Sequence, residues 1–233
     1  MDRGAQTLPV GEIVDGRPAI RPGRVALDGR FVRLVPLGPE HADDIFAATD
    51  GAGRPDVWTY MHGGPYARAE DLRAALIEKA AADDAVFHAL VDPASGRALG
   101  YQSLMRIDLP NRVVEVGNVL YSPALQRSAA ATEAQALYAR HVFDDLGFRR
   151  YEWKCNALNS PSRAAALRLG FAYEGTFRSH MIVKGRTRDT AWFAMTDADW
   201  PARRAAFERW LAAENFDALG RQRAPLAALR DGG

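Results

Sequence analysis

Apolar residues recur along this chain with two different periods, and the switches between them outline its elements. FVRLVPL (31–37) alternates, with Phe31, Arg33 and Val35 on one side and Val32 and Leu34 on the other, as a strand requires. Pro39 opens a helix, PEHADDIFAAT, whose early turns carry the acidic residues a helix N-terminus favours. ARAEDLRAALIEKAAAD reads as a second helix with Leu72, Leu76 and Ile77 on its inner face. AVFHALVD (85–92) and ALGYQSLMRID (98–108) are strand-like and separated by PASGR, which predicts an antiparallel hairpin. RVVEVGNVLY (112–121) follows as a third strand. Ala134, Leu137, Tyr138, His141, Val142 and Leu146 then trace one helical stripe that stops at Gly147. FRRYEWKC is a strand, NSPSRAAALRL a short helix stopped at Gly170, and FAYEGTFRSHMIV with DTAWFAMT a closing hairpin. A last helix begins near Asp199-Trp200-Pro201.

This order predicts an α/β fold: a single domain with a central mixed, mostly antiparallel sheet of about seven strands and helices on both faces. The two β-α units within 112–183 are expected as parallel neighbours with right-handed crossovers. Residues 1–24, rich in glycine, proline and charge, read as an extended leader, residues 25–200 as the domain, and 201–233 as a C-terminal helix and tail, a candidate homodimer surface.

Composition narrows the function. Of 233 residues, 48% are hydrophobic and 25% charged, as in an ordinary globular domain. A formal net charge of +1 offers no electrostatic case for nucleic acid or an anionic membrane as partner. The single cysteine, Cys155, excludes an internal disulfide framework and, with no signal-like or membrane-length apolar run, predicts a cytoplasmic protein. No cluster of metal-ligand type is visible, so no metal is expected.

Two stretches carry candidate chemistry. LQRSAAATEA (125–134) runs from a loop into a helix, where unpaired N–H groups and the helix dipole favour an anion, yet it holds no glycine. A methyl at Ala129 is harmless there if its φ is negative and strained if it is positive. In RVVEVGNVLY, alternation puts Glu115 on a face with Val113 and Gly117, and a carboxylate is costly to bury unless it is paired or useful. Gly117 suits a bulge or a close backbone approach. Asn159 sits where it caps the helix of NSPSRAAALRL. His88 and His141 lie on apolar faces and read as core histidines, and Cys155 as a packed thiol.

QRSAAATEA and NSPSRAAALRLGF, together with the order of elements over residues 27–198, resemble the GNAT superfamily of acyl-CoA-dependent N-acetyltransferases. Within it the chain is most similar to the branch that includes the ribosomal-protein N-terminal (alanine/serine) acetyltransferases. The resemblance implies acetyl-CoA as acyl-donor cosubstrate. Gln126, Arg127, Ser128, Ala129, Ala130, Ala131 and Thr132 would form its phosphate loop, with Ala129 where the family most often has glycine. Asn159 and Ser162 would meet the pantetheine arm. Backbone N–H groups of Val119, Leu120 and Tyr121 would polarise the thioester carbonyl. Glu115 would be the general base, although an ion pair with Arg106 or Arg112 explains a carboxylate there equally well. The family's thiolate-protonating tyrosine falls at Ala166, with Tyr121 and Ser162 as weak substitutes. Trp58, Tyr60 and His62, in the segment covering the acceptor site of relatives, would form an aromatic wall for the amine, a small molecule or a protein N-terminus, or simply plug that loop onto the core. That loop's few carboxylates, Asp50 and Asp56 with Glu70 and Asp71 just beyond, speak against a polycation. The other reading of the same fold is a catalytically weak module that senses acyl-CoA or a small amine.

Overall fold

The computed structural model describes residues 8–231; residues 1–7 of the leader and 232–233 of the tail lie outside the described residues. Eight strands form one sheet: β1 (Leu27–Asp28), β2 (Arg33–Pro36), β3 (Ala85–Val91), β4 (Ala98–Asp108), β5 (Val113–Tyr121), β6 (Arg150–Asn156), β7 (Ala172–Val183) and β8 (Arg186–Thr196). Their spatial order is β1-β2-β3-β4-β5-β6-β8-β7. The strand beyond the expected seven is the two-residue β1. The PASGR hairpin pairs β3 with β4 as predicted, and every neighbouring pair is antiparallel except β5 with β6. One expectation is corrected. β5 and β6 are parallel neighbours, but β6 and β7 are not, because β8 slots between them. A β-hairpin pairs its two strands at the smallest loop-closure cost, so β8 takes the position beside β6 that the β6–β7 crossover leaves open.

Helices α1 (Ala42–Ala48) and α2 (Ala69–Ala81) cover one face over β2–β4. Leu72 and Leu76 are fully buried there, whereas Ile77 is exposed, since the i, i+4 pair already fills the contact stripe. α3 (Ala129–Arg140), α4 (Ser160–Leu169), α5 (Trp200–Leu211) and α6 (Leu226–Asp231) lie on the opposite face. α3 is wedged between the sheet and α5, so Thr132 to Ala139 are all buried. Its polar side chains are therefore paired: Gln135 Nε2 donates to Gln102 Oε1 and to the Tyr121 hydroxyl, both at 2.8 Å. The helical stripe ending in Leu146 is buried as predicted, with a π-helical turn over His141–Asp145 before Gly147.

The described part of the leader has no regular structure but is fastened to the domain. Ala19 and Ile20 donate backbone bonds to Leu109 and Leu146, and the Val25 carbonyl accepts from His88 Nε2 at 2.9 Å. With Nε2 donating, His88 Nδ1 accepts from the Tyr138 hydroxyl at 2.8 Å. Burial of this neutral ring pushes its pKa down to about 4. The folded state thus refuses a proton that the unfolded chain accepts near pH 6.5. His88 stabilises the fold fully above that pH, and its contribution falls by about 3 kcal/mol as the pH drops to 4. Urea unfolding at pH 7 and pH 4 is expected to show this loss in the wild type and a smaller one in His88→Gln; equal losses in both would assign the acid sensitivity elsewhere.

Candidate active site

The single parallel pair creates the site. β5 and β6 are in register only from Val113↔Arg150 to Val116↔Trp153; beyond that point the strands diverge. A bulge in β5 drives the divergence. Tyr101 faces Leu120 and Ser103 faces Gly117, so Asn118 and Val119 together oppose Gln102 with one residue extra, and Asn118 takes a left-handed φ of 52°. From Gly117 to Tyr121 the β6-facing edge of β5 carries no strand. Gly117 itself is hemmed by Met105, whose Sδ would collide with a Cβ added there. Both α3 and α4 start at the carboxyl ends of these splayed strands, the place where parallel α/β sheets bind ligands.

The two helix starts are finished by the residues the sequence singled out. Ser128 caps α3, its Oγ accepting from Ala131 N–H at 3.0 Å. Ala129 is the first helical residue and has no left-handed φ, so its methyl costs nothing. The position that takes the glycine-like conformation is Arg127, with φ 59°. Gln126 folds its amide back onto the Tyr121 carbonyl at 2.9 Å. Among the described residues no group accepts the N–H of Arg127, Ala129 or Ala130, so three donors point out of this turn. Thr132 turns inward instead, bonded to the Ser128 carbonyl and to Arg168 of α4. Asn159 caps α4, its Oδ1 accepting from Ser162 N–H at 3.1 Å, while Ser162 Oγ accepts from Trp153 Nε1 at 3.0 Å. Among the described residues nothing bonds Nδ2 of Asn159, and the residue lines the cleft. The residues present therefore fit acetyl-CoA: free backbone donors at a helix start for its phosphates, and an open strand edge with a side-chain amide for its amide-bearing arm.

The cleft opens into a cavity of about 130 Å³. Its floor is Glu115 to Val119 of β5 and Trp153 to Asn156 of β6. One wall is the Tyr60–His62 loop and the other the β7–β8 hairpin. The walls are tied together, because Lys184 Nζ at the hairpin tip donates to the carbonyls of Trp58 and Gly64 at 2.9 and 2.8 Å. Tyr60 and His62 line this cavity. Trp58 does not: it is fully buried in the core under α1 and α2, with its indole N–H on Asp50. Burial and the nearby Arg188 and Lys184 cations hold the His62 pKa below its ordinary value, which favours the neutral ring. Leu120 packs into the same core as Trp58, and the Tyr121 hydroxyl donates to Gln102 Oε1 at 2.6 Å on the far side of the sheet.

Glu115 is nearly buried and faces two cations. Arg106 Nε and Lys154 Nζ approach its Oε2 at 3.1 and 3.0 Å. Arg112 is not its partner. Arg106 reaches in because a second irregularity, in β4, gives it a left-handed φ of 48°. The carboxyl pKa is raised: loss of solvation outweighs the stabilisation from Lys154 and Arg106. Lys154 is also held by Glu152 at 2.6 Å and lies 3.8 Å above the Trp192 ring. Glu152 and Lys154 escape a sequence reading because alternation assigns them a face but not a neighbour. The β5–β6 register, Glu115↔Glu152, is what sets them beside Glu115. Cys155 also lines the cavity, and burial pushes its thiol up, which keeps it protonated.

Comparison with known proteins agrees with this geometry. Residues 32–172, more than half of the chain, match the acetyltransferase (GNAT) domain family. A GCN5-related N-acetyltransferase from Brucella melitensis is 46% identical, with a TM-score of 0.90 over 92% of this chain and 98% of that one. A probable acetyltransferase of the GNAT family from Chromobacterium violaceum is 34% identical, with a TM-score of 0.77 over 85% of this chain and 100% of that one. A ribosomal-protein alanine acetyltransferase from Vibrio fischeri shares the fold at 17% identity, with a TM-score of 0.61 over 76% and 98% of the two chains. Among curated proteins, none matches the chain. The chain belongs to the GNAT family of N-acetyltransferases.

Proposed function

We propose that the protein acetylates a primary amine in the cytoplasm by direct attack on acetyl-CoA, both substrates being held at once. The observation that carries this reading is the splay of β5 from β6 between two helix starts, with Glu115 on the cavity floor beside it. Acetyl-CoA supplies an activated thioester carbonyl. The N–H groups of Arg127, Ala129 and Ala130 receive its phosphates, and Asn159 Nδ2 and Ser162 hold the pantetheine arm. The free edge of β5 at Val119–Tyr121 orients the carbonyl. Glu115 takes the proton from the amine, and its raised pKa brings it closer to the strength that general-base work near neutrality requires. Ala166 is fully buried and aliphatic, and the Tyr121 hydroxyl is committed to Gln102 and Gln135. That leaves the Ser162 hydroxyl, which lines the cavity, and solvent as proton sources for the departing sulfur.

Calorimetric titration with acetyl-CoA tests the binding half. Micromolar affinity is expected for the wild type, falling about ten-fold in Asn159→Ala for one lost bond. Because Asn159 also caps α4, Asn159→Asp keeps the cap acceptor and removes only the amide donor; it is expected to bind as weakly as the alanine variant. A wild type that does not bind acetyl-CoA would end this reading.

A further inference from the structure

The cations around the cavity outnumber the carboxylates, and one of them lacks any acceptor among the described residues. Arg106, Lys154 and Arg150 are matched by Glu115, Glu152 and Glu174 in a continuous chain of contacts between 2.5 and 3.1 Å. Three cations meet three carboxylates. Arg188, on β8, stands outside that chain: among the described residues it has no ion-pair partner, and its Nε is shut off from solvent without a hydrogen-bond acceptor. It shares the sheet face of Thr190 and Trp192, and Trp192 pairs with Lys154, so the guanidinium lines the same cavity as Glu115. Its field depresses the titration of His62 across the cavity. A half-buried guanidinium without an acceptor is costly in an empty site and is satisfied by an anion there.

We infer that Arg188 is the anchor for a carboxylate carried by the acceptor, which makes the acceptor a small amino acid-like amine rather than a protein N-terminus. Three observations converge on this. Of the cations beyond that chain, Lys184 is satisfied by two backbone carbonyls and Arg188 lacks an acceptor, and a planar guanidinium matches a carboxylate with two parallel bonds. Glu115 lines the same cavity, so one molecule offers its amine to Glu115 and its carboxylate to Arg188. The walls are joined through Lys184 beside a cavity of about 130 Å³, room enough for a small amine that carries a carboxylate. This inference rests on the acetyl-transfer reading for the identity of the amine but not for the anion site.

The test is a panel of amino acids, each with its carboxamide and its decarboxylated amine, plus a peptide with a free N-terminus. Acetyl-CoA-dependent thiol release and calorimetric binding are both followed, in wild type and Arg188→Gln. Expected are turnover and binding of at least one amino acid, a ten-fold or greater loss for its amide and amine, and an unchanged KM for acetyl-CoA. Arg188→Gln should raise the KM of that amino acid at least ten-fold and erase the preference, with Arg188→Lys recovering part of it. Equal use of the amide, better use of the peptide, or indifference to Arg188→Gln would overturn the inference. If acetyl-CoA binds and no amine is acetylated, acetyl transfer fails instead. Carboxylate-dependent, Arg188-dependent binding would then still uphold the anion site, and its absence would overturn it.

Discussion

Glu115→Gln is expected to lower kcat/KM by about 10²- to 10⁴-fold while leaving acetyl-CoA affinity unchanged. The substitution keeps the shape of the side chain and removes its ability to accept a proton. It also leaves Lys154 paired with Glu152 at 2.6 Å, so the charge cluster loses one member and not its anchor. The pH profile gives a second, independent readout. Wild-type activity should rise with pH through the Glu115 pKa, which burial lifts above the ordinary carboxylate value, and the variant should lose that limb. A purely structural Glu115 predicts another result. Breaking a buried ion pair costs about 3–5 kcal/mol, so a thermal shift of that size with turnover retained in the folded fraction would remove Glu115 from the mechanism. Measuring kcat/KM and the melting temperature on the same preparation separates the two.

Glu133→Ala should cost stability rather than chemistry, and the cost should be large. Glu133 belongs to the ATEA run that continues the phosphate loop, yet its carboxylate points away from the cleft. Oε1 accepts from Arg30 N–H at 2.9 Å, and Oε2 accepts from Phe31 and Val32 N–H at 2.5 and 3.0 Å. One side chain of α3 thus holds the turn between β1 and β2 at the edge of the sheet. Gly29 is required beside it, because a Cβ there would lie 2.5 Å from the Glu133 carboxyl carbon and 2.8 Å from the Val32 carbonyl oxygen. Bonds to a charged acceptor contribute about 1.5–3 kcal/mol each, and a buried N–H without a partner is unfavourable. Removing this acceptor should cost about 3 kcal/mol or more, a fall in melting temperature of about 10 °C for a chain this size. Glu133→Gln keeps one carbonyl and should fall between. If Glu133→Ala melts with the wild type but no longer binds acetyl-CoA, the residue serves the loop and not the turn.

Much of this was legible in the residues alone. The β3–β4 hairpin followed from two alternating runs and a turn-forming spacer. Asn159 and Gly170 marked the ends of α4, and Glu115 stood out as a carboxylate between two valines that are now buried. Periodicity works there because it reports which face of an element a residue occupies. It was silent on Lys154, Glu152 and Arg188, and it placed Ile77 on the wrong side. Arg188 lies in KGRTR, the spacer between the two runs of the closing hairpin, whereas β8 already begins at Arg186.

Local pattern thus settles the element order, the apolar faces and the two capped helix starts, because alternation, capping and turn chemistry act over a few residues. Packing settles everything that depends on pairing between distant segments. The β5–β6 register brings Glu115 to Glu152 and Lys154, distant in the chain, and the insertion of β8 beside β6 carries Arg188 to the same cavity. The bulge at Asn118 then opens the cleft between them. None of these has a short-range energetic signature, since each is selected by the burial of whole strand faces at once.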